Sequence, residues 1–204
     1  FTGALNSGYL TAGDIKYQDT NGDGQITDAD KRRLGKSGKP RGQFGINLNM
    51  SYKGFYLSAL FQGSTKFNMY VAGSLGMQTG QTYGMPVAYD YQTDFWTPDN
   101  RDAQYPRLMA NTALNQNNNY ASSDFWLING AYLRMKDFQF GYDFKYSLLK
   151  NVSWLTRCKM GISGQNIFTI SQATKYGMDP EPSDTNYYGY PVERTIALTL
   201  NLGF

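Results

Sequence analysis

The stretch that most constrains the fold is the last one, Arg194 to Phe204, in which large apolar and small polar side chains alternate. From Ile196 onward, isoleucine, leucine and phenylalanine take the even positions, and alanine, threonine, asparagine and glycine take the odd ones. A period of two predicts a β-strand with two unlike faces. A soluble strand usually carries Lys, Glu or Arg on its outer face, and from Thr195 onward neither face of this one does.

The same stretch has the pattern of a barrel strand in an outer membrane. Such a barrel places apolar side chains toward lipid and polar ones toward the lumen. A strand of about eleven residues, at roughly 3.3 Å per residue and a tilt of about 45°, spans the lipid-facing band of roughly 25 Å. The terminal stretch therefore favours a membrane-spanning strand, and an ordinary soluble strand remains the alternative.

Composition narrows the classes of function. The chain has 204 residues with a net charge of +3, too small to indicate nucleic-acid binding. No run of about 18 apolar residues predicts a transmembrane helix. One cysteine and no histidine exclude an internal disulfide, Cys- or His-ligated metals and Ser-His-Asp catalysis within this segment, so we expect no enzyme. Because it begins at Phe1 without a signal-peptide pattern, we expect a piece of a longer protein.

Residues 19–30 have the spacing of a calcium-binding loop. Oxygen-bearing side chains stand at loop positions one, three and five, a glycine follows at six, and a carboxylate closes the loop at twelve. Aspartate at position twelve is typical of dockerin-type loops, and the missing flanking helices favour a structural Ca²⁺ over a sensor. An Asx-rich surface turn without metal is the alternative. The predicted ligands are Asp19, Asn21, Asp23, Gln25 through its backbone carbonyl, and Asp30.

A basic cluster follows this loop. One interpretation is a solvated face that balances the acidic loop. The other is contact with anionic lipopolysaccharide phosphates at a membrane rim. The cluster comprises Lys31, Arg32, Arg33, Lys36, Lys39 and Arg41.

Alternating patterns predict four further strands. Two of them form a hairpin around Lys53-Gly54, and Tyr52 and Phe55 flank the turn, where the aromatic girdle of a barrel would lie. The apolar parity changes between Met135 and Phe138, which predicts a bulge. The predicted strands, with the terminal one, are 44–52, 54–64, 131–144, 157–170 and 194–204.

Two long loops separate these strands. Residues 65–130 are rich in Tyr, Asn, Gly and Pro, and a loop of this length suits the extracellular side of a barrel better than an ordinary soluble fold. Residues 171–193 contain Asp179, Glu181 and Asp184. Paired carboxylates suit acid–base chemistry, but the neighbouring prolines favour loop geometry. We expect the long loops and the metal loop outside and the tight turns on the periplasmic side.

Short motifs follow one another along nearly the whole chain. They are Gly13-Asp14-Ile15-Lys16-Tyr17, Asn21-Gly22-Asp23-Gly24, Tyr52-Lys53-Gly54-Phe55, Phe61-Gln62-Gly63, Tyr132-Leu133-Arg134-Met135-Lys136, Asn166-Ile167-Phe168-Thr169, Tyr176-Gly177-Met178-Asp179-Pro180-Glu181 and the terminal Phe204. In this order they resemble the SusC/RagA family of TonB-dependent outer-membrane transporters.

The resemblance implies an all-β fold, with antiparallel strands forming the C-terminal arc of a transmembrane β-barrel with long extracellular loops. Barrels of this kind have about 22 strands, and five strands cannot close one alone. The N-terminal plug domain would lie outside this chain. The terminal Phe204 resembles the signal that the barrel-assembly machinery reads.

The resemblance also implies a function in the cell outer membrane of Bacteroidetes. Members import oligosaccharides or peptides, with a SusD-like lipoprotein capping the barrel and the TonB complex acting through the plug. The glycan or peptide substrate and membrane lipid would be the other partners. The alternative from the residues is a soluble calcium-dependent carbohydrate-binding or dockerin-like module.

Overall fold

The structure is a computed structural model that describes residues 10–35, 37–70, 93–108, 118–181 and 192–204. Within these ranges the secondary structure consists of β-strands and short 3-10 turns. Among the described residues, no helix is long and apolar enough to cross a membrane. Lys36 of the basic cluster, Asp184 and much of the predicted loop 65–130 lie outside the described ranges.

The chain forms two compact units. The first contains the calcium-type loop and most of the described part of the predicted loop 65–130. The second contains the strands of the larger sheet. The described residues of the first unit are 10–35, 69–70, 93–108 and 118–128, and those of the second are 37–68, 129–181 and 192–204.

Eight strands occur in the described residues: β1 (Gly42–Tyr52), β2 (Phe55–Thr65), β3 (Asn68–Tyr70), β4 (Leu127–Asn129), β5 (Tyr132–Asp143), β6 (Arg157–Gln165), β7 (Thr169–Ser171) and β8 (Thr195–Gly203). The larger sheet has the order β1-β2-β5-β6-β8, with β7 beside β5, and β3 pairs with β4. Its pairings are antiparallel, so the predicted all-β antiparallel fold class is confirmed.

The register gives the sheet two distinct faces. Met50, Leu57, Phe140, Ile162 and Leu198 are directly opposite one another on the five neighbouring strands. Since side chains alternate along each strand, residues of the same parity follow this row onto one face. The apolar patterns of five separate sequence stretches therefore form one surface.

Lys53 and Gly54 form the tight hairpin turn that the sequence predicts. Both have positive φ, 47° and 89°, as a two-residue turn of the I′ type requires. Glycine adopts positive φ without a steric penalty, and Lys53 adopts it although it carries a side chain. The turn sets the register of β1 and β2 along their whole length.

β5 contains the predicted bulge. Asp137 and Met135 pair with consecutive residues of β2, which leaves Lys136 without a partner in that ladder. One extra residue shifts the alternation, so Met135 and Phe138 lie on the same face despite their odd spacing. The apolar residues change from odd to even positions in the sequence because the bulge inserts one extra residue.

The predicted strand 157–170 is divided in the structure. β6 ends at Gln165, and Asn166 adopts φ 52°, which an extended strand does not allow. The backbone N–H of Ile167 then donates to the carbonyl of Met135, beside the bulge. β7 continues the pairing with β5 on the far side of this break.

Tyr56 lies across two glycines on the polar face of the sheet. A Cβ atom added to Gly141 would be 2.4 Å from both the Tyr56 hydroxyl and the Met160 carbonyl oxygen. One added to Gly161 would be 2.5 Å from the Phe140 carbonyl oxygen and 2.7 Å from the Tyr56 hydroxyl. By contrast, a Cβ atom at Gly45 on the same face would meet its nearest neighbour at 3.8 Å. The tyrosine thus fits the sheet only because both positions lack a side chain.

Gly141→Ala is therefore expected to lower the free energy of unfolding by about 1–3 kcal/mol, the range for overpacked sites. Gly45→Ala makes the same change where there is space, and we expect it to be nearly neutral. Urea unfolding of the two variants in detergent micelles measures the difference. Equal midpoints would contradict the close packing at Gly141.

Candidate functional site

One face of the larger sheet is exposed and apolar. On β8 the exposed fractions are 85% for Leu198, 68% for Ile196 and 63% for Leu200. In the register of the five strands, no charged residue shares this face among the described residues. A contiguous apolar surface of this extent indicates a contact with lipid or with another protein. Its exposed members are Phe44, Ile46, Leu48, Met50, Tyr52, Phe55, Phe140, Met160, Ile162, Ile196, Leu198, Leu200 and Leu202.

The opposite face is polar and differs between strands. β1 and β8 present only uncharged residues there, as their sequences predict. β5 and β6 add charges, and Lys159 lies 3.9 Å from the Asp143 carboxylate and 5.4 Å from the centre of the Tyr56 ring. This face can therefore meet water or polar groups, whereas the apolar face cannot do so favourably.

Aromatic rings cluster at the turn end of the sheet. Phe55 meets Tyr142 edge to face at 4.7 Å, and Trp154 stacks on Phe204 at 5.9 Å. Tyr52, predicted as a girdle residue with Phe55, is 70% exposed beside them. Tyr and Trp rings, which have an apolar body and one polar atom, are typical of the boundary between hydrocarbon and water.

Arg134 is the centre of an ion-pair cluster. Its side chain is 3% exposed, and its guanidinium donates to Asp179 at 2.7 Å and also to Glu181. The Lys136 ammonium lies 2.8 Å from Glu181, and Thr169 accepts a third bond from Arg134 at 2.8 Å. Ion pairs thus connect the motif that contains Arg134 and Lys136 with the motif that contains Asp179 and Glu181, far apart in the sequence.

The segment that carries these carboxylates is folded back tightly. A 3-10 turn at Ala173–Tyr176 ends at Gly177, whose φ of 67° favours glycine, and the backbone N–H of Met178 then donates to the Ala173 carbonyl. Tyr176 and Met178 are buried. The carboxylates are engaged in ion pairs, which agrees with their interpretation as loop structure. Both motifs are visible in the sequence, but nothing in it indicates that they form ion pairs with each other.

The calcium-type loop is one compact turn in the structure. Asp19 accepts from the backbone N–H of Gly22 and Gly24 at 2.6 and 2.8 Å. Asn21 accepts from the backbone of Asp23 at 2.9 Å. Among the described residues, no three His, Cys, Asp or Glu side chains are grouped as a metal-binding cluster. Hydrogen bonds within the loop therefore hold the predicted ligands in this arrangement.

Asp30 closes this loop. Its carboxylate accepts from the backbone N–H of Thr27 at 2.7 Å and of Thr20 at 2.8 Å. The Thr27 bond is the main cause that holds the pKa of Asp30 below its usual value. Gln25 is exposed, and its N–H donates to Asp23. The candidate metal-ligand atoms are all oxygens, and Asp30 is ionised near neutral pH. The residues present therefore fit a hard cation such as Ca²⁺.

Two residues of the basic cluster bond to the calcium-type loop. Arg32 donates to the carbonyls of Ala29 and Thr20, both at 3.2 Å. Lys31 pairs with Asp28 at 2.7 Å, with both side chains largely exposed. These two residues support the interpretation of a face that balances the acidic loop.

The motif that begins at Gly13 is held by distant polar side chains. Asp14 accepts from the Arg107 guanidinium at 2.7 Å, and Asn119 donates to the same carboxylate at 2.9 Å. Tyr17 donates to the Asn118 carbonyl at 2.6 Å, and burial raises its pKa to about 12. These side chains fix the backbone of the motif in place.

Asp14→Asn is expected to destabilise this region near neutral pH. Burial alone raises the pKa of Asp14, but the hydrogen bonds from Arg107, Thr11 and Asn119 bring it below its usual value. The ion pair therefore stabilises the fold above the unfolded pKa of about 3.9 and is lost as pH falls through the folded pKa. Hydrogen exchange of residues 10–17 on acidification measures this. The variant should lack the acid-dependent increase, and identical pH profiles would refute the assignment.

Comparisons with known proteins agree with this geometry. No family model matches the chain. It is 28% identical over 216 residues to TonB-dependent receptor P3 of Formosa agariphila, covering 98% of this chain and 20% of that protein. TonB-dependent receptor P26 of the same organism is 28% identical over 205 residues, covering 94% and 20%. The chain thus spans about a fifth of the length of the curated relatives it matches.

Solved structures share the fold. A chain of the RagAB peptide importer in the closed-closed state has a TM-score of 0.66 at 21% identity, covering 88% of this chain and 19% of that one. The open-open state gives 0.63 at 21% identity, covering 94% and 20%. The relatives are receptors and importers, which confirms the expectation of a non-enzymatic chain. These likenesses support the resemblance seen in the sequence: over nearly its whole length the chain is similar to a segment of TonB-dependent receptors, and it shares its fold with a chain of the RagAB importer.

Proposed function

We propose that this chain is part of an active transporter in the cell outer membrane and that its apolar sheet face contacts lipid. The observation that supports this most strongly is the uncharged row of apolar residues that crosses all five strands, from Met50 to Leu198, and is exposed on every strand but β2. A soluble sheet would bury such a face against a second layer. Strands of 9 to 12 residues have the length of the lipid-facing band.

The substrate and partners belong to the same proposal. The substrates are oligosaccharides or peptides, and the RagAB complex, which contains a chain of similar fold, is a peptide importer. A SusD-like lipoprotein would cover the outer opening. The TonB complex would supply energy through a plug domain of the complete receptor.

Uptake by cells tests this proposal. Cells with and without the gene are offered fluorescently labelled oligosaccharides and peptides. We expect uptake of one class to require both the gene and the proton gradient, so that a protonophore abolishes it. Uptake that is unchanged by deletion for every probe offered would refute the transport function.

We also propose that residues 19–30 bind a structural Ca²⁺. Asp19, Asn21, Asp23, the Gln25 carbonyl and Asp30 would hold it, and the supporting observation is the all-oxygen donor set on one hydrogen-bonded turn. Bound Ca²⁺ would screen the carboxylates from one another and hold the loop closed.

Asp19→Ala is expected to speed proteolytic cleavage of this loop several-fold and to remove its dependence on Ca²⁺. Asp28→Ala is the matched control, because its side chain is 88% exposed and outside the ligand positions. Limited proteolysis of the receptor with Ca²⁺ and with chelator measures both. Wild-type cleavage that is the same under the two conditions would rule out a structural metal.

A further inference from the structure

The apolar face contains a groove of about 490 Å³. Two rows of side chains form its walls: Tyr142, Met160 and Leu200 on one side, and Phe140, Ile162 and Leu198 on the other. Both rows cross β5, β6 and β8, and the groove therefore runs across the strands. Its volume is within the roughly 300–1,000 Å³ of ordinary ligand sites.

The floor of the groove is bare backbone. Gly141 and Gly161 lie between the two rows and are opposite each other in the register. On the other side of the sheet the Tyr56 ring covers both glycines. The groove is consequently closed beneath and open only toward the apolar face.

Its chemistry selects an apolar occupant. The wall residues are hydrocarbon, aromatic or thioether side chains, and Met160 and Leu200 are 52% and 63% exposed. Sugars and peptide backbones need polar partners that these walls do not supply. Covering such a surface is favourable by about 25 cal/mol per Å². Because the groove is continuous with the face proposed to meet lipid, a lipid acyl chain fits it best.

One end of the groove is next to a positive charge. Phe55 lines that end and follows the β1–β2 turn, which exposes Lys53. The Lys53 ammonium lies 5.2 Å from the centre of the Tyr52 ring. A lysine beside interfacial rings suits the phosphate of a lipid headgroup.

We propose that this groove holds one acyl chain of an anionic phospholipid whose phosphate contacts Lys53. The inference rests on the proposed membrane function and adds a defined lipid site to it. Lipid elsewhere on the apolar face would exchange freely, whereas this lipid would be retained.

Ile162→Trp fills the groove, and Ile46→Trp makes the same change on β1, on the same face and outside the groove. The complete receptor is delipidated in detergent, offered phosphatidylglycerol and analysed by native mass spectrometry. We expect one retained lipid in the wild type and in Ile46→Trp, and at least about tenfold lower occupancy in Ile162→Trp, a loss of about 1.4 kcal/mol. Lys53→Gln should lose its preference for phosphatidylglycerol over phosphatidylcholine.

Equal retention in both tryptophan variants, or no retained lipid in the wild type, would overturn the proposal. A dimer mass that Ile162→Trp removes would assign the groove to a second copy and would also overturn it. Brominated acyl chains quench the fluorescence of a nearby indole, so they show whether the apolar face contacts lipid even when no lipid is retained in the groove. If the indole of Ile46→Trp is quenched in vesicles while lipid retention fails, the membrane face stands and only the groove assignment falls.

Discussion

Replacing Leu198 with arginine is expected to cost about 2–4 kcal/mol of the free energy of folding into a bilayer. Leu198 is 85% exposed on the uncharged face of β8. In hydrocarbon a guanidinium at this place loses its hydration and finds no partner, whereas on a water-facing surface it would be nearly neutral. Folding of the receptor into phospholipid vesicles over a urea series measures the cost.

Thr199→Arg is the matched control for this change. Thr199 is the next residue of the same strand and lies on the opposite, polar face, in the row with Tyr56 and the two glycines. We expect little loss of stability from the charge there. Equal costs for the two arginines would show that the faces do not meet different media.

Arg134→Met is expected to have an effect of similar size through a different cause. The substitution keeps the volume of the stem but leaves Asp179 and Glu181 without their main partner. Removing one member of a buried ion pair typically costs about 3–5 kcal/mol, and the lower end applies because Glu181 keeps Lys136 and is 27% exposed. The segment 173–181 should then detach from β5 and exchange its amide hydrogens faster.

Hydrogen exchange and urea unfolding of the receptor measure this effect. Arg134→Lys should restore part of the protection, because an ammonium keeps the charge but cannot bond both carboxylates and Thr169 with one planar fork. Lys175→Met, at an exposed position of the same segment, is the control and should leave exchange unchanged. Protection of 173–181 that survives Arg134→Met would contradict the role of the cluster.

The local features of the sheet could be predicted from the sequence because they have a local cause. Alternation fixes which residues share a face, so Leu198 and Ile162 are assigned before their strands are paired. The change of parity after Met135 shows the bulge for the same reason. Positive φ at Lys53 follows from the two-residue turn between two alternating stretches.

Features that depend on distant contacts could not be predicted. The bond from Arg107 to Asp14 joins residues 93 positions apart, and Arg134 reaches Asp179 across 45 positions. Neither contact produces a repeating pattern in the sequence from which it could be predicted. The break at Asn166 depends on the bulge of the neighbouring strand, which the sequence of β6 does not record. The predicted metal ligands form one turn, and Ca²⁺ binding there stays a prediction.

In the proposed membrane arrangement the leucines of β8 face hydrocarbon and their neighbours face water. Spin labels introduced by Leu198→Cys and Thr199→Cys, each in a Cys158→Ser background of the receptor in vesicles, measure which medium each face meets. We expect the label at 198 to collide with oxygen and to be shielded from a water-soluble nickel complex, with the reverse at 199. A label at 198 that is shielded from both reagents, as in the dry core of a water-soluble module, would contradict it.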